Sequence, residues 1–275
     1  MKIYCTQHAG FCFGVKRAIK MAIRAVEKEK KSFSLGPLIH NQGVVEELKK
    51  RGIIPVSDIN EIDEKDICFI IRSHGIHPEI LEDLKNRNFK IVDATCPKVR
   101  RAQRYVEKLS GEGYFVIIVG EKDHPEVKGL LGYARGNAQV YYENMEVKYK
   151  KVGIVPQTTL DIEHLNGAIS KIIPQVIEMK IYNTICNETT LRIQEALEIA
   201  QKVDLMIVVG GKNSANTTRL YQICKKLKPT YHIESVRELS PDMFKGIKSI
   251  GLAAGASTPK EQIKEIERYL KKLSC

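Results

Sequence analysis

One spacing recurs three times along this chain and limits the folds open to it. The 275 residues alternate short apolar runs with charged amphipathic stretches, a pattern typical of α/β proteins with mainly parallel sheets. The predicted strands are CFII at 68–71, FVIIVG at 115–120, KVGIVP at 151–156, LMIVVGG at 205–211 and SIGLAAGAS at 249–257. Predicted helices begin at Val15, Pro97 and Glu188, and a cysteine stands shortly before each of them.

These three cysteines start the repeated spacing. Counting 28 residues from Cys12, Cys96 and Cys186 reaches a polar residue that we place at the end of a strand, and these residues are His40, His124 and Ser214. A second polar residue follows 62 residues after the first two cysteines and 71 residues after the third, at His74, Thr158 and Ser257. The sequence therefore predicts three similar α/β units with one insertion in the third, which we place at residues 14–95, 97–185, and 187–275 together with 1–13.

The repeat also predicts where a functional site lies. Open α/β sheets bind ligands at the carboxyl ends of their strands, and that is where the repeated polar residues fall. If the three units form a pseudo-threefold trefoil, three cysteines and six polar side chains converge on one central cavity. Cys12, Cys96 and Cys186 each stand at a helix start, where the helix dipole and free N–H groups favour a thiolate.

Three thiolates around one axis suit a metal centre with an open coordination position. Iron–sulfur clusters take such soft ligands, and zinc with three cysteines and a water is the alternative. We expect no functional role for the other four of the seven cysteines. We expect small core side chains at Cys5, Cys68 and Cys224, and a terminal residue at Cys275.

The composition restricts the partners. The formal net charge of +11 favours anionic ligands or acidic partner proteins. The chain has no Trp, 7% aromatic residues and no recognised nucleic-acid motif, which argues against nucleic-acid binding despite the charge. Its apolar runs fall well short of the roughly 18 residues of a membrane span, and the start MKIYCTQHAG lacks a secretory apolar core. We therefore expect a cytoplasmic protein without membrane contact.

The repeated histidines and hydroxyls suit a phosphate or diphosphate. Asn216 adds an amide donor within GGKNSANTT, where small residues let backbone N–H groups approach an anion. This segment lacks the spacing of a nucleoside-triphosphate loop, and no dinucleotide-binding glycine motif follows a strand. Glu126, in HPEVKG, has two interpretations: a carboxylate stabilised at a helix N-terminus, or the proton donor beside the metal and anion.

The motifs of this chain resemble those of a known enzyme family. GFCFGVKRAI, GPLIHN, SHG, DATCP, HPEVKG, QTTL, the Cys186 segment, VVGGKNSAN and AGASTP occur in the order found in 4-hydroxy-3-methylbut-2-enyl diphosphate reductases, and they span essentially the whole chain. These enzymes catalyse the last step of the methylerythritol phosphate route to isoprenoids. The resemblance implies three α/β domains in a trefoil around a 4Fe-4S cluster with one open iron, held by Cys12, Cys96 and Cys186.

The resemblance also implies roles for the remaining residues. Glu126 becomes the proton-relay carboxylate, helped by Thr158 and His124. The contacts to the allylic diphosphate substrate fall on His40, His74, His124, Thr158, Ser214, Asn216 and Ser257. Many relatives have a second serine where this chain has Ala215, so only the backbone of Ala215 serves there. The implied reaction is a two-electron reductive dehydroxylation to isopentenyl and dimethylallyl diphosphate, with electrons from a donor such as ferredoxin or flavodoxin.

Two other functions stay open on the residues alone. The three cysteines also allow a zinc-dependent hydrolase or transferase acting on a phosphorylated substrate. The charge alone allows a basic nucleic-acid-binding protein.

Overall fold

The computed structural model describes residues 1–273, which fold as alternating strands and helices. The strands are β1 (Lys2–Cys5), β2 (Ser32–Leu35), β3 (Ile53–Val56), β4 (Cys68–Ile71), β5 (Lys90–Asp93), β6 (Phe115–Val119), β7 (Ala138–Val140), β8 (Lys151–Pro156), β9 (Glu178–Ile181), β10 (Leu205–Val209), β11 (Thr230–Ile233) and β12 (Ser249–Ala254). The α-helices are α1 (Phe13–Glu29), α2 (Gln42–Lys50), α3 (Pro78–Asn86), α4 (Pro97–Gly111), α5 (Pro125–Tyr133), α6 (Ile162–Ile172), α7 (Asn187–Ala200), α8 (Ala215–Lys225) and α9 (Lys260–Leu273).

Within residues 1–273 the strands form three four-stranded sheets, and neighbouring strands in each sheet are parallel. The strand orders are β3-β2-β4-β5, β7-β6-β8-β9 and β1-β12-β10-β11. All five predicted strands, now β4, β6, β8, β10 and β12, are central strands of these sheets. The predicted α/β class with parallel sheets is confirmed.

The central strands are continuous apolar runs in the sequence because both faces of each sheet are buried. In β10, Leu205, Ile207 and Val209 pack into one core, which also receives Ile266 of α9. The alternate residues of the strand face the opposite way and pack into a second core with α7 and α8. Full burial of each such side chain contributes about 1.5–3 kcal/mol, so these strands anchor the sheet.

The described chain divides into two compact units. The first unit comprises Met1–Lys16, Ile39–Glu47 and the residues from Asn187 on, and it holds the sheet β1-β12-β10-β11. The second unit comprises Arg17–Leu38 and Leu48–Cys186 and holds the other two sheets. The boundaries of the three repeat units stay a prediction. No helix among residues 1–273 is both long and apolar enough to cross a membrane.

Local sequence explains where the functional helices begin. Cys12, Cys96 and Cys186 directly precede α1, α4 and α7, as predicted. Cys96 is the N-cap of α4, and Pro97 suits the first helical position because its missing N–H would be unpaired there. His77 and His124 are N-caps of α3 and α5, and a proline follows each of them as well.

The cysteines outside the repeat differ in burial. Cys68 and Cys224 are buried, as expected of small core side chains. The same expectation for Cys5 is wrong: Cys5 is exposed, because it ends the edge strand β1, which has a neighbour on one side only. Cys275 lies outside the described residues.

Candidate active site at the carboxyl ends of the strands

Predicted site residues follow the two central strands of their sheets. In β7-β6-β8-β9 the chain runs from β6 to one edge and from β8 to the other, which creates a ligand-binding crevice between the carboxyl ends of β6 and β8. His124 follows β6 and Thr158 follows β8. In β1-β12-β10-β11 the corresponding central strands are β10 and β12, and Ser214 and Ser257 follow them.

Glu126 and Thr158 form a buried hydrogen-bonded pair in the second unit. Glu126 lies in the first turn of α5 and only 2% of it is exposed. One carboxylate oxygen, Oε1, accepts the Thr158 backbone N–H at 2.6 Å, and Oε2 lies 2.8 Å from Thr158 Oγ1. The hydroxyl of Thr158 can donate to or accept from this oxygen, so the pair can pass a proton along its length.

Burial raises the pKa of Glu126 to about 7, although both hydrogen bonds from Thr158 act to lower it. A carboxyl group with this pKa is partly protonated at neutral pH. A general acid or base is most effective when its pKa lies near the working pH. The side chain therefore combines the position of a helix N-terminal carboxylate with the pKa of a proton donor.

His124 holds the start of α5 and contacts His74. Its Nδ1 accepts the backbone N–H of Glu126 at 3.2 Å. Because Nδ1 accepts, the neutral ring carries its proton on Nε2, where it is a hydrogen-bond donor. The His74 and His124 rings meet edge to face with centroids 5.3 Å apart, so the two predicted histidines of this unit lie side by side.

The first unit holds His40, Ser214, Asn216 and Ser257. Ser257 Oγ donates to the His40 backbone oxygen at 3.0 Å, so these two predicted residues are in contact. Ser214 is the N-cap of α8 and accepts the Thr217 N–H at 3.4 Å. Asn216 Nδ2 is buried and finds no hydrogen-bond partner among residues 1–273. A buried donor left without a partner is costly, so this amide points to a ligand that accepts hydrogen bonds.

Backbone hydrogen bonds tie each predicted cysteine to a loop that follows a central strand. Cys12 N–H donates to Ala256 O at 3.2 Å, within the first unit. In the second unit Cys96 N–H donates to Ser73 O at 3.0 Å, next to His74, and Cys186 N–H donates to Thr158 O at 2.8 Å. The three side chains are thiols of intermediate burial. These thiols stand at helix starts and are neither buried in a core nor fully exposed. They therefore fit the ligand set of a thiolate-bound metal cluster.

Arg192 of α7 is a positioning residue that the sequence did not predict. It is 2% exposed, and its Nη1 donates to Gly10 O at 3.2 Å and to Ala254 O at 2.9 Å. Arg192 thus fixes the loop that leads to Cys12 and the strand end that leads to Ser257. The available signal was an arginine on a helix face otherwise made of small residues, at the spacing of Arg192, Ala196 and Ala200.

A family model described as LytB protein matches residues 3–271 of this chain. The chain belongs to the LytB protein family. Curated relatives of this LytB chain are named 4-hydroxy-3-methylbut-2-enyl diphosphate reductase. The protein of Aquifex aeolicus (strain VF5) is 46% identical over 280 residues, covering 98% of this chain and 96% of the relative. That of Geobacter sulfurreducens is 46% identical over 271 residues, covering 97% and 95%.

Solved structures agree with these relatives. One is described as (E)-4-hydroxy-3-methyl-but-2-enyl diphosphate reductase, the terminal enzyme of the non-mevalonate pathway; it is 44% identical, covers 99% of this LytB chain and 100% of its own, and has a TM-score of 0.75. The reductase from Plasmodium falciparum is 28% identical, covers 98% and 88%, and has a TM-score of 0.92. The resemblance read from the motifs is confirmed.

Proposed function

We propose that this chain is a reductase that converts 4-hydroxy-3-methylbut-2-enyl diphosphate, two electrons and two protons into isopentenyl or dimethylallyl diphosphate and water. This is the terminal step of the non-mevalonate pathway, the activity for which its relatives are named. The observation that carries the proposal is the buried Glu126–Thr158 pair. It supplies a proton donor of suitable pKa at the carboxyl end of β8, beside the loop that holds Cys186.

The cofactor proposed here is a 4Fe-4S cluster with one open iron. Cys12, Cys96 and Cys186 would hold it, since their thiols stand at helix starts and are neither core side chains nor fully exposed. When bound, such a cluster supplies single electrons and an open, Lewis-acidic iron position for the allylic hydroxyl.

Several hydrogen-bond donors would bind the diphosphate. In the first unit these are the buried amide of Asn216 and the hydroxyls of Ser214 and Ser257, with the backbone of Ala215 in place of a second serine. The histidines His40, His74 and His124 add ring donors. Hydrogen bonds to a charged oxygen are roughly twice as strong as neutral ones, so this set favours a diphosphate over a neutral headgroup.

The protons would come from the second unit. Glu126 holds a proton at Oε2 within hydrogen-bond distance of Thr158 Oγ1, and Thr158 passes it toward the substrate. His124 positions the carboxyl group by capping α5 through the Glu126 N–H and offers an Nε2 proton of its own. One proton leaves with the hydroxyl as water and the other adds to either end of the allyl unit.

The electrons must come from outside the chain. A net charge of +11 suits an acidic donor protein such as ferredoxin or flavodoxin, which would meet this enzyme in the cytoplasm.

The test is iron and sulfide analysis of serine variants purified anaerobically. Cys12→Ser, Cys96→Ser and Cys186→Ser should each lose most of the cluster, because a hydroxyl is a poor iron ligand. Cys68→Ser and Cys5→Ser are the matched controls and should retain it. Full iron retention in any of the first three would refute the ligand assignment. Stoichiometric zinc in colourless wild-type protein would favour a hydrolase, and steeply salt-dependent oligonucleotide binding would favour a nucleic-acid-binding protein.

A further inference from the structure

The second unit contains a cavity of about 330 Å³ whose lining includes neither His74 nor the Glu126–Thr158 pair. It lies at the carboxyl ends of β2 and β4, to which Leu35 and Ile71 belong. These are the central strands of β3-β2-β4-β5, so the cavity occupies the position where open parallel sheets bind ligands. Its volume falls within the range of roughly 300–1,000 Å³ found for small-molecule sites.

One part of the cavity is apolar. The side chains that form it come from the two strand ends, the following loop and the first turn of α3, and they are Leu35, Phe69, Ile71, Ile76 and Ile80. A wall of this kind accommodates a short hydrocarbon chain, which gains about 25 cal/mol for each Å² of apolar surface removed from water.

Arg72, the residue after β4, brings a positive charge to the same cavity. Its guanidinium lies over Gly36: a Cβ added to Gly36 would lie 2.8 Å from Arg72 Nη1. Gly36 has a φ of +69°, so glycine serves both the turn after β2 and the space for the guanidinium. Within residues 1–273 the Arg72 side chain makes no hydrogen bond or ion pair.

The other polar groups of the cavity are already engaged. Lys128 of α5 pairs with Asp123 at 3.2 Å. His77 uses Nδ1 to accept the Glu79 N–H at 3.3 Å. Burial lowers the pKa of Arg72 to about 10, which leaves the guanidinium charged at neutral pH. A half-buried charge without a protein partner is costly, and a bound anion would remove that cost.

We propose that this cavity binds a small organic phosphate or diphosphate, with the phosphate on Arg72 and a short apolar chain against Ile71 and Ile80. The site is separate from the residues assigned to the reductase, and the inference does not depend on that activity. Arg72 stands two residues before His74, so a ligand bound to Arg72 would contact the loop that carries the His74 ring.

The test is calorimetric titration of the anaerobic holoenzyme with isopentenyl diphosphate. We expect a binding event that weakens about 10- to 150-fold in Arg72→Met, the loss of a charge-assisted hydrogen bond. The matched control Arg104→Met removes an exposed arginine of α4 and should leave that event unchanged. Ser257→Ala, in the first unit, should weaken a different event. Wild-type binding that is wholly insensitive to Arg72→Met overturns the proposal, whatever the outcome for Ser257.

A second variant separates the apolar chain from the phosphate and protects the test against misfolding of the first. Ile80 is half-buried near the start of α3, so Ile80→Ser should fold. At this site it should weaken isopentenyl diphosphate and leave inorganic diphosphate unchanged. Equal effects on both probes, or no effect on either, would overturn the assignment of the apolar wall.

Discussion

Replacing Glu126 by glutamine separates the two interpretations of this side chain. Glutamine keeps the shape and an oxygen that accepts the Thr158 N–H, but it carries neither a charge nor a transferable proton. A general acid should then lose turnover by about 10²–10⁴-fold while substrate affinity is nearly kept. A carboxylate that only stabilises the helix would leave turnover alone and cost roughly 0.5–2 kcal/mol of stability when replaced.

The effect on stability follows from the burial of Glu126. Burial raises its pKa from 4.5 to about 7, so between these values the native chain holds a proton that the unfolded chain releases. Stability falls with rising pH wherever the unfolded state binds fewer protons. The wild type should therefore lose on the order of 3 kcal/mol from this group between pH 4.5 and pH 7. Glu126→Gln abolishes that loss, so it should gain stability relative to wild type as the pH rises.

The assay is denaturant unfolding across this pH range, together with turnover on an artificial reductant. Glu79→Gln is the matched control: Glu79 holds the same place in a second His-Pro-Glu segment, at the start of α3, but its side chain is 86% exposed. Its stability should differ from wild type by no more than about 0.5 kcal/mol at every pH. Parallel stability curves for wild type and Glu126→Gln, with normal turnover, would refute both the buried-acid and the proton-donor assignments.

Three further predictions concern other parts of the site. His124→Asn keeps an N-cap and so should keep the melting temperature, while substrate affinity measured by calorimetry falls about 10- to 150-fold; His77→Asn should change neither. Arg192→Met should lower the free energy of unfolding by roughly 2–5 kcal/mol in denaturant titrations, because two carbonyls lose a charged donor, and Arg192→Lys should restore part of it. Cys224→Ser should retain its iron and lose about 1–3 kcal/mol of stability, since it buries a hydroxyl; equal iron loss in this variant and in Cys96→Ser would contradict the ligand assignment.

The sequence predicted the central strands well because burial on both faces leaves a continuous apolar run. β2 is a central strand whose segment was not among the predicted strands, although the spacing placed a strand end at His40. Its segment SFSL carries Ser32 and Ser34, which are fully buried and interrupt the apolar pattern. Edge strands such as β1 and β9 also escaped prediction, because short half-exposed segments carry little periodicity.

The candidate site, too, could be predicted from the sequence only in part. Spacing alone selected the polar residues at strand ends, because a repeated unit places equivalent positions at equal intervals. It could not predict that Glu126 bonds Thr158 or that Arg192 reaches Gly10, since these contacts join residues far apart in the chain. The pKa of Glu126 also depends on burial, which a local motif does not specify.

The pairing of β1 with β12 has a consequence for how the protein matures. β1 has its partner only when residues near Ser249 have been made, since Lys2 aligns with Ser249 in this sheet. The Cys12 N–H likewise has its hydrogen-bond acceptor, Ala256 O, only after residue 256 has been made. At about 5–20 residues per second, a ribosome leaves this amino-terminal segment without its partners for tens of seconds. A growing chain thus cannot present Cys12 in its final place before residues near Ala256 have been made, and any metal loading that needs Cys12 in that place would come later.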